Sequence, residues 1–567
     1  MTPEDAAQPT TEVPTDAAVQ GHGGSHATAV AAAHGVETMF TLSGAHVFPM
    51  YDAAAKEDHG IRLLDVRHEQ TAAFAAEATG KLTRSPGLAV LTAGPGVTNG
   101  VSAITQAHFS GAPMVVIGGR APLARWGTGS LQEFDHVPLL SSITVSAETA
   151  KNTADIAGAT HRAFQAARSA HRGPAFLDVH MDHFFDQSES VRSGPDAAGD
   201  SDRAPDTDAV ERIAGLLARA ERPVVVLGTD VWSDFAEQAA LRCVEELGLP
   251  AIPNGMGRGV VPAGHPLLVT KARGMAFNGA DLVVVVGTPL DFRLGYGVFG
   301  GKDGATPATV VHIQDSADQL SHHANPAVAT AGDLSQVLDA LTEAVQRQAT
   351  RADWTGWAGA LREKAQATHT KDLELLGAEA DPIHPARIYG ELLPRLADDA
   401  VVIGDGGDFV SFAGKFVEPK RPGNWLDPGP FGCLGAGLGA AIAARIARPS
   451  SQVVLLLGDG AAGFSLIDVD TLVRHNLPVV MIMGNNSAWA LEKGPMQMIY
   501  GYDVIADLGP RTRYDEVVKA LGGAGEMVTD PGQIGPAMDR AFASGVPYLV
   551  NVVTDVEAAY PRATFGV

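Results

Sequence analysis

Short runs of aliphatic and β-branched residues recur along the chain, separated by Ala-, Leu-, Glu- and Arg-rich stretches. The apolar runs are LAVLTAG (88–94), MVVIGG (114–119), PVVVLG (223–228), DLVVVVG (281–287), ATVVHI (308–313), AVVIGD (400–405), QVVLLLGDG (452–460) and VVMIMGNN (479–486). Continuous apolar runs that end in Gly or Asp mark parallel strands buried on both faces. DAVERIAGLLARAE (208–221) typifies the helices between them. Alternating strands and helices predict βαβ units. The expected fold class is α/β, with three domains that each carry a mainly parallel sheet flanked by helices. Two stretches break the alternation. Residues 186–207 are rich in Ser, Asp, Pro and Gly; residues 351–383 are charged and end in DPIHP, where Pro382 and Pro385 stop any helix. The expected organisation is a disordered tail (1–24), a first domain (25–185), a linker (186–207), a second domain (208–350), a linker (351–383), a third domain (384–553) and a C-terminal tail (554–567).

Composition narrows the function classes. A chain of 567 residues gives each domain room for its own core. Lys+Arg 41 against Asp+Glu 65 leaves a net charge of −24, which argues against wrapping a nucleic-acid backbone and leaves room only for local basic pockets. The two cysteines, Cys243 and Cys433, exclude a disulfide framework and a Cys-ligated metal site, and suit a reducing, cytoplasmic location. Apolar runs stay far below the about 20 residues that span a bilayer, so no membrane partner is expected. The acidic start, MTPEDAAQPTTEVPTDAAVQ, does not read as a signal peptide.

The densest chemistry lies in the third domain. One strand runs into Gly458-Asp459-Gly460-Ala461, and the next ends in Gly484-Asn485-Asn486. Asp459 and Asn486 therefore sit at the carboxyl ends of parallel strands, where α/β sheets bind ligands. Their side-chain oxygens suit Mg²⁺ shared with phosphate, and the small residues let backbone N–H groups approach a diphosphate. Two Gly- and Asn-rich turns in an ordinary sheet would read the same way one at a time; the pair at this spacing is far more specific.

GDGAAGFSLIDVDTLVRHNLPVVMIMGNN resembles the thiamine-diphosphate motif of the family that includes acetolactate synthases, pyruvate decarboxylases, 2-hydroxyacyl-CoA lyases and oxalyl-CoA decarboxylases. The resemblance covers about residues 25–567 and implies pyrimidine-binding, Rossmann-like central and diphosphate-binding domains in that order. It implies that Asp459, Asn486 and the Ala488 carbonyl ligate Mg²⁺, with Gly458, Gly460 and Ala461 against the diphosphate. In IRLLDVRHEQTAAFAAEATGKLT, Glu69 opens a helix, where a carboxylate suits the macrodipole. The resemblance implies that Glu69 hydrogen-bonds N1′ of the aminopyrimidine; a carboxyl in an apolar cleft can share a proton with that nitrogen. In the family this glutamate meets the diphosphate domain of a second subunit, which implies a homodimer or homotetramer. TAGPGVTNG (92–100) resembles the family's Gly-Pro-Gly-x-x-Asn interface loop. FGCLGAGLGAAIAA (431–444) places Leu434 where a bulky residue bends the cofactor and Gly432 where a carbonyl accepts from its amine; the same run also suits close helix packing.

The reaction is read from other positions. Gln132 and Glu133 match a Gln-Glu pair common to acetolactate synthases and 2-hydroxyacyl-CoA lyases. The pyruvate decarboxylases' His pair is missing, and Ala45-His46 replaces their acidic residue. Glu492 falls in the register of a catalytic glutamate and is a candidate general acid/base alongside Gln132; beside Lys493 it also reads as a solvated side chain. Leu131, the region of Val145-Ser146 and the missing Trp in LEKGPMQMIYG depart from acetolactate synthases and argue against pyruvate condensation and FAD. PNGMGRGVVPAGHPL (253–267) and KARGMAFNGADLVVVVG (271–287) resemble the CoA branch, which implies ADP or coenzyme A in the central domain. Arg258, Lys271, Arg273 and Arg293 are its basic candidates and Asp315 its ribose acceptor; each also reads as a surface charge. The expected activity is a thiamine-diphosphate-dependent 2-hydroxyacyl-CoA lyase giving a ketone or aldehyde plus formyl-CoA, with Leu131 and Leu491 suggesting a short branched acyl chain of the 2-hydroxyisobutyryl type. The alternative is an acetolactate-synthase-like carboligase acting on pyruvate. Residues 554–567 read either as a lid, with Tyr560 and Phe565 as its apolar contacts, or as a frayed tail.

Overall fold

The computed structural model describes residues 18–195, 203–301 and 306–560. Three parallel sheets carry the architecture. The N-terminal sheet has six strands in the spatial order Arg62–Asp65, Thr38–Thr41, Gly87–Leu91, Met114–Arg120, Pro174–His180, Ser146–Thr149. The central sheet has five: Ala251–Pro253, Pro223–Leu227, Leu282–Val286, Thr309–Gln314, Val328–Ala331. The C-terminal sheet has six: Trp425–Leu426, Val401–Asp405, Val453–Gly458, Val480–Asn485, Tyr548–Val553, Ala524–Val528. Strands such as Leu282–Val286 are buried along their whole length, as an unbroken valine run in a helix-covered sheet requires. No described helix is long and apolar enough to cross a membrane. Both cysteines are free.

One packing contact sets the relation between the outer domains. Helix Glu69–Thr83 lies on helix Gly437–Ala447, and Phe74, Ala72, Leu438 and Ala441 share one core. A Cβ at Gly439 would stand 2.7 Å from the Phe74 Cβ and 2.9 Å from the Thr71 carbonyl oxygen, so the glycine permits the approach.

The connecting segments hold more structure than their polar sequences suggest. Ala18–His22, inside the expected tail, pairs antiparallel with Gln187–Val191, inside the expected linker. This ribbon stands apart from the three sheets, so it shows none of the apolar continuity that marks a buried strand. Residues 196–202 of that linker lie outside the described residues. In the second expected linker, Thr355–Leu376 is a 22-residue helix. Only a narrow stripe of it is buried. Leu361 packs into the central domain, and just ahead of the helix Trp354 donates its indole N–H to the Ala220 carbonyl at 2.8 Å. A helix that is mostly solvated reads from sequence as a charged connector.

Candidate active site

Gly458 and Gly484 are register partners on adjacent parallel strands, so Asp459 and Asn486 emerge side by side at one sheet edge. Asp459 opens helix Asp459–Ser465 and is 3% exposed. The N–H groups of Gly460 and Ser487 hydrogen-bond its carboxylate, yet burial pushes its pKa up to about 6. The two asparagines divide the work. Asn485 is fully buried and donates to the Asn551 side-chain oxygen at 3.0 Å and to the Thr512 carbonyl at 3.3 Å. Asn486 faces the cleft and accepts the Ala488 N–H at 3.2 Å. Ser487 turns the chain at a φ of 56°, and the loop is then pinned by Trp489 donating to the Ala506 carbonyl and Leu508 donating to that of Ser487, both at 2.8 Å.

Next to this edge, strand Val401–Asp405 ends in a fully buried carboxylate. Asp405 accepts the N–H of Gly435 at 3.0 Å and of Gly437 at 2.8 Å, and burial pushes it up to about 6. Those bonds hold the turn that projects Leu434 into the cleft. Gly432 and Gly435 both lie at positive φ, 72° and 84°, as the turn requires. Asp408, Leu434, Gly458, Asp459, Gly460, Ala461, Asn486, Ala488 and Glu492 line one cleft. Glu492 lies on helix Ala490–Tyr500, while its neighbour Lys493 turns away to Asp503 and Asp507 at 3.0 and 2.7 Å.

Glu69 begins its helix with only 8% of its surface exposed, and its carboxylate accepts from the Asn99 amide at 2.9 Å. The following residues dock on the C-terminal domain of the same chain: Gln70 donates to the Phe464 carbonyl at 3.3 Å and Thr71 to Asp468 at 2.6 Å. Glu69 is not part of the lining of its own chain's cleft. Gln132 sits at a φ of 60°, in a loop that Glu133 clamps through the N–H groups of Gly127 (3.0 Å) and Ser130 (3.3 Å). A Cβ on Gly94 would meet the Gln132 Cβ at 2.9 Å, and the Gly94 N–H donates to His136 at 3.0 Å. Gln132 and Glu69 thus rest on opposite ends of one loop, residues 92–100.

Residues 22–139 match the description "Thiamine pyrophosphate enzyme, N-terminal TPP binding domain", residues 210–341 its central domain and residues 405–552 its C-terminal TPP binding domain. Over 535 residues, 94% of this chain and 95% of the relative, the sequence is 51% identical to the acetolactate synthase large subunit IlvG of Mycobacterium tuberculosis. It is 34% identical to 2-hydroxyacyl-CoA lyase 2 of Caenorhabditis elegans over 90% of this chain and 85% of that one. The human 2-hydroxyacyl-CoA lyase 2 is 33% identical over 94% and 90%. The chain belongs to the thiamine pyrophosphate enzyme family. It is a thiamine-diphosphate-dependent enzyme acting on carbon–carbon bonds.

For a thiamine pyrophosphate enzyme, the donor set at the cleft fits a hard divalent cation: a buried carboxylate, an amide oxygen and the pinned loop at Ala488 beyond them. Two acidic residues escaped the sequence reading: Asp408, which lines this cleft, and Asp405, buried behind it under the Leu434 turn. The signal was present in AVVIGDGGD, a buried strand running into Gly and Asp as the 452–460 strand does. Asp408 accepts the Tyr560 N–H at 2.6 Å, and the Tyr560 ring stands edge-on to Phe412 at 5.1 Å. Phe565 lies outside the described residues.

The central-domain candidates separate. A cleft at the carboxyl ends of the central strands is lined by Thr229, Gly287, Thr288 and Arg293 among others. Arg293 also forms an ion pair with Asp291 at 2.7 Å. Arg258 is buried against the C-terminal domain, where it donates to the Gly414 and Val417 carbonyls at 2.8 and 3.2 Å. Lys271 pairs with Asp372 at 3.0 Å. Arg273 donates to the Arg293 carbonyl at 2.6 Å and stacks on Phe277. Asp315 pairs with His171 of the N-terminal domain at 3.1 Å.

Proposed function

We propose that this enzyme cleaves 2-hydroxyacyl-CoA thioesters to a ketone or aldehyde and formyl-CoA. The observation that carries the reading is the charge of the cleft. Among the described residues lining it, three are carboxylates (Asp408, Asp459 and Glu492) and none is Lys, Arg or His. A thioester carbonyl is neutral and tolerates that wall; the carboxylate of a 2-oxo acid would meet it with no cation from this side. Leu491, packed on Gly407 beside Glu492, leaves an apolar surface for a short acyl chain.

Asp459, Asn486 and the Ala488 carbonyl would hold Mg²⁺, with Gly458, Gly460 and Ala461 facing the diphosphate. Leu434 would support the bent cofactor, and the Gly432 carbonyl would receive its amine. Bound thiamine diphosphate supplies the nucleophilic carbon and the electron sink. Glu69 of a neighbouring subunit would exchange a proton with the pyrimidine ring, so the working unit is at least a dimer. The cleavage is redox-neutral: the carbon–carbon bond beside the hydroxyl breaks, the hydroxyl proton leaves, and a proton arrives on the formyl carbon. Glu492 and Gln132 are the groups for those two transfers. The nucleotide part of coenzyme A would occupy the central cleft beside Arg293.

A second reading, an acetolactate-synthase-like carboligase acting on pyruvate, is favoured by the relative at 51% identity. Incubation of the holoenzyme with 2-hydroxyisobutyryl-CoA should release acetone and formyl-CoA. Acetolactate from pyruvate, with no thioester cleavage, would replace the first reading by the second.

A further inference from the structure

We propose that His171, Asp230 and Asp315 form a second divalent-cation site, at the junction of the N-terminal and central domains and apart from the cofactor cleft. Asp230 directly follows the turn after strand Pro223–Leu227, and Asp315 directly follows strand Thr309–Gln314. These two strands flank Leu282–Val286 in the central sheet, so both carboxylates stand at one sheet edge. His171 reaches them from the connection between helix Ile156–Arg168 and strand Pro174–His180 of the other domain.

The distances suit shared ligation. His171 Nδ1 lies 3.1 Å from each Asp315 oxygen and 3.8 Å from an Asp230 oxygen, and one donor atom from each residue falls within 4.8 Å of the others. Ligands on a first-row ion with bonds of about 2.0–2.2 Å stand roughly 3 Å apart. Both carboxylates are deeply buried, at 4% and 2% exposure. The ring orientation is set in advance: a Cβ on Gly111 would come within 2.5 Å of the imidazole.

Charge points the same way. Asp230, Asp315 and Asp318 all act on His171. Arg172 and Arg203 pair with Asp234, at 3.3 and 2.5 Å, and their charges also reach Asp315. One imidazole and two guanidinium groups thus stand against four carboxylates. One imidazole with carboxylate oxygens selects first-row ions such as Mn²⁺ or Zn²⁺ over Mg²⁺, which is reluctant to shed water.

The test is Mn²⁺ titration of holoenzyme kept in saturating thiamine diphosphate and millimolar Mg²⁺, followed by electron paramagnetic resonance. The expected result is one Mn²⁺ per chain that excess Mg²⁺ does not displace, weakened at least tenfold in Asp230→Asn. Asp459→Asn, altered only at the cofactor cleft, should keep this ion, which secures the test if Asp230→Asn fails to fold. No Mg²⁺-resistant Mn²⁺ in the wild type, or unchanged binding in a folded Asp230→Asn protein, would overturn the proposal and leave the cluster as an interdomain ion pair.

Discussion

The Glu69 carboxylate accepts a hydrogen bond from the Asn99 side-chain amide at 2.9 Å, which joins two distant motifs of the N-terminal domain into one unit. Glutamine at position 69 would keep an oxygen for that bond and lose the exchangeable proton. Glu69→Gln should therefore lower kcat by about a hundredfold or more, the usual scale of acid–base catalysis, with thermal unfolding little changed. Asn99→Ala should cost less, because it frees the carboxylate without removing it. Turnover in Glu69→Gln equal to the wild type would remove Glu69 from cofactor activation.

As the proposed Mg²⁺ ligand, Asp459 should make binding of the magnesium–cofactor pair pH-dependent. Its carboxyl is pushed up to about 6 by burial, and a metal ligand must be ionised. The apparent affinity should fall about tenfold per pH unit below about 6 and level off above it. The linkage to the stability of the metal-free protein has the opposite sign. The folded metal-free state holds this proton where the unfolded chain, at 3.8, has released it. Metal-free protein should thus lose stability as pH rises through this window, while the gain on adding cofactor grows. Quenching of tryptophan fluorescence is a suitable readout, since Trp489 packs on Gly460. An affinity flat between pH 5 and 7.5 would rule out Asp459 as the ligand.

The fold and half the site could be read from the chain because burial on both faces leaves an unmistakable mark. The runs at 452–460 and 479–486 are continuous and apolar, and each ends where a ligand-facing residue must sit. That rule points to Asp459 and Asn486, and the structure brings both into the lining of one cleft. Asp405 obeys the same rule but turns inward to the Gly435 and Gly437 amides, a role set by a loop 30 residues away in sequence. Arg258 and Lys271 show the converse. A basic residue near a strand end looks like an anion ligand until the neighbouring domain, or for Lys271 the connecting helix, is in place to claim it.

Asp405→Asn puts an amide group where two backbone N–H donors converge. One donor is left facing another, a loss of about 1–3 kcal/mol for a buried unsatisfied group. The Leu434 turn should loosen, so the melting temperature should drop and cofactor binding weaken, while kcat at saturating cofactor is largely kept. A fall in kcat with unchanged cofactor affinity would instead place Asp405 in the chemistry.

Under the proposed function Arg293 serves ligand binding, whereas Arg258 serves domain cohesion. Arg293 lines the central cleft, although its pairing with Asp291 at 2.7 Å means that only part of its charge is available. Arg293→Ala should raise the KM for the CoA thioester by about three- to tenfold with kcat preserved, the scale of one shared charge-assisted hydrogen bond. Arg258 is buried and satisfies two carbonyls of the C-terminal domain. Arg258→Met should strip both carbonyls of their donor, at about 1–3 kcal/mol each, and lower the melting temperature without moving that KM. Steady-state kinetics and melting curves on the two variants distinguish the roles, and the opposite outcome would relocate the nucleotide contact from the sheet edge to the domain boundary.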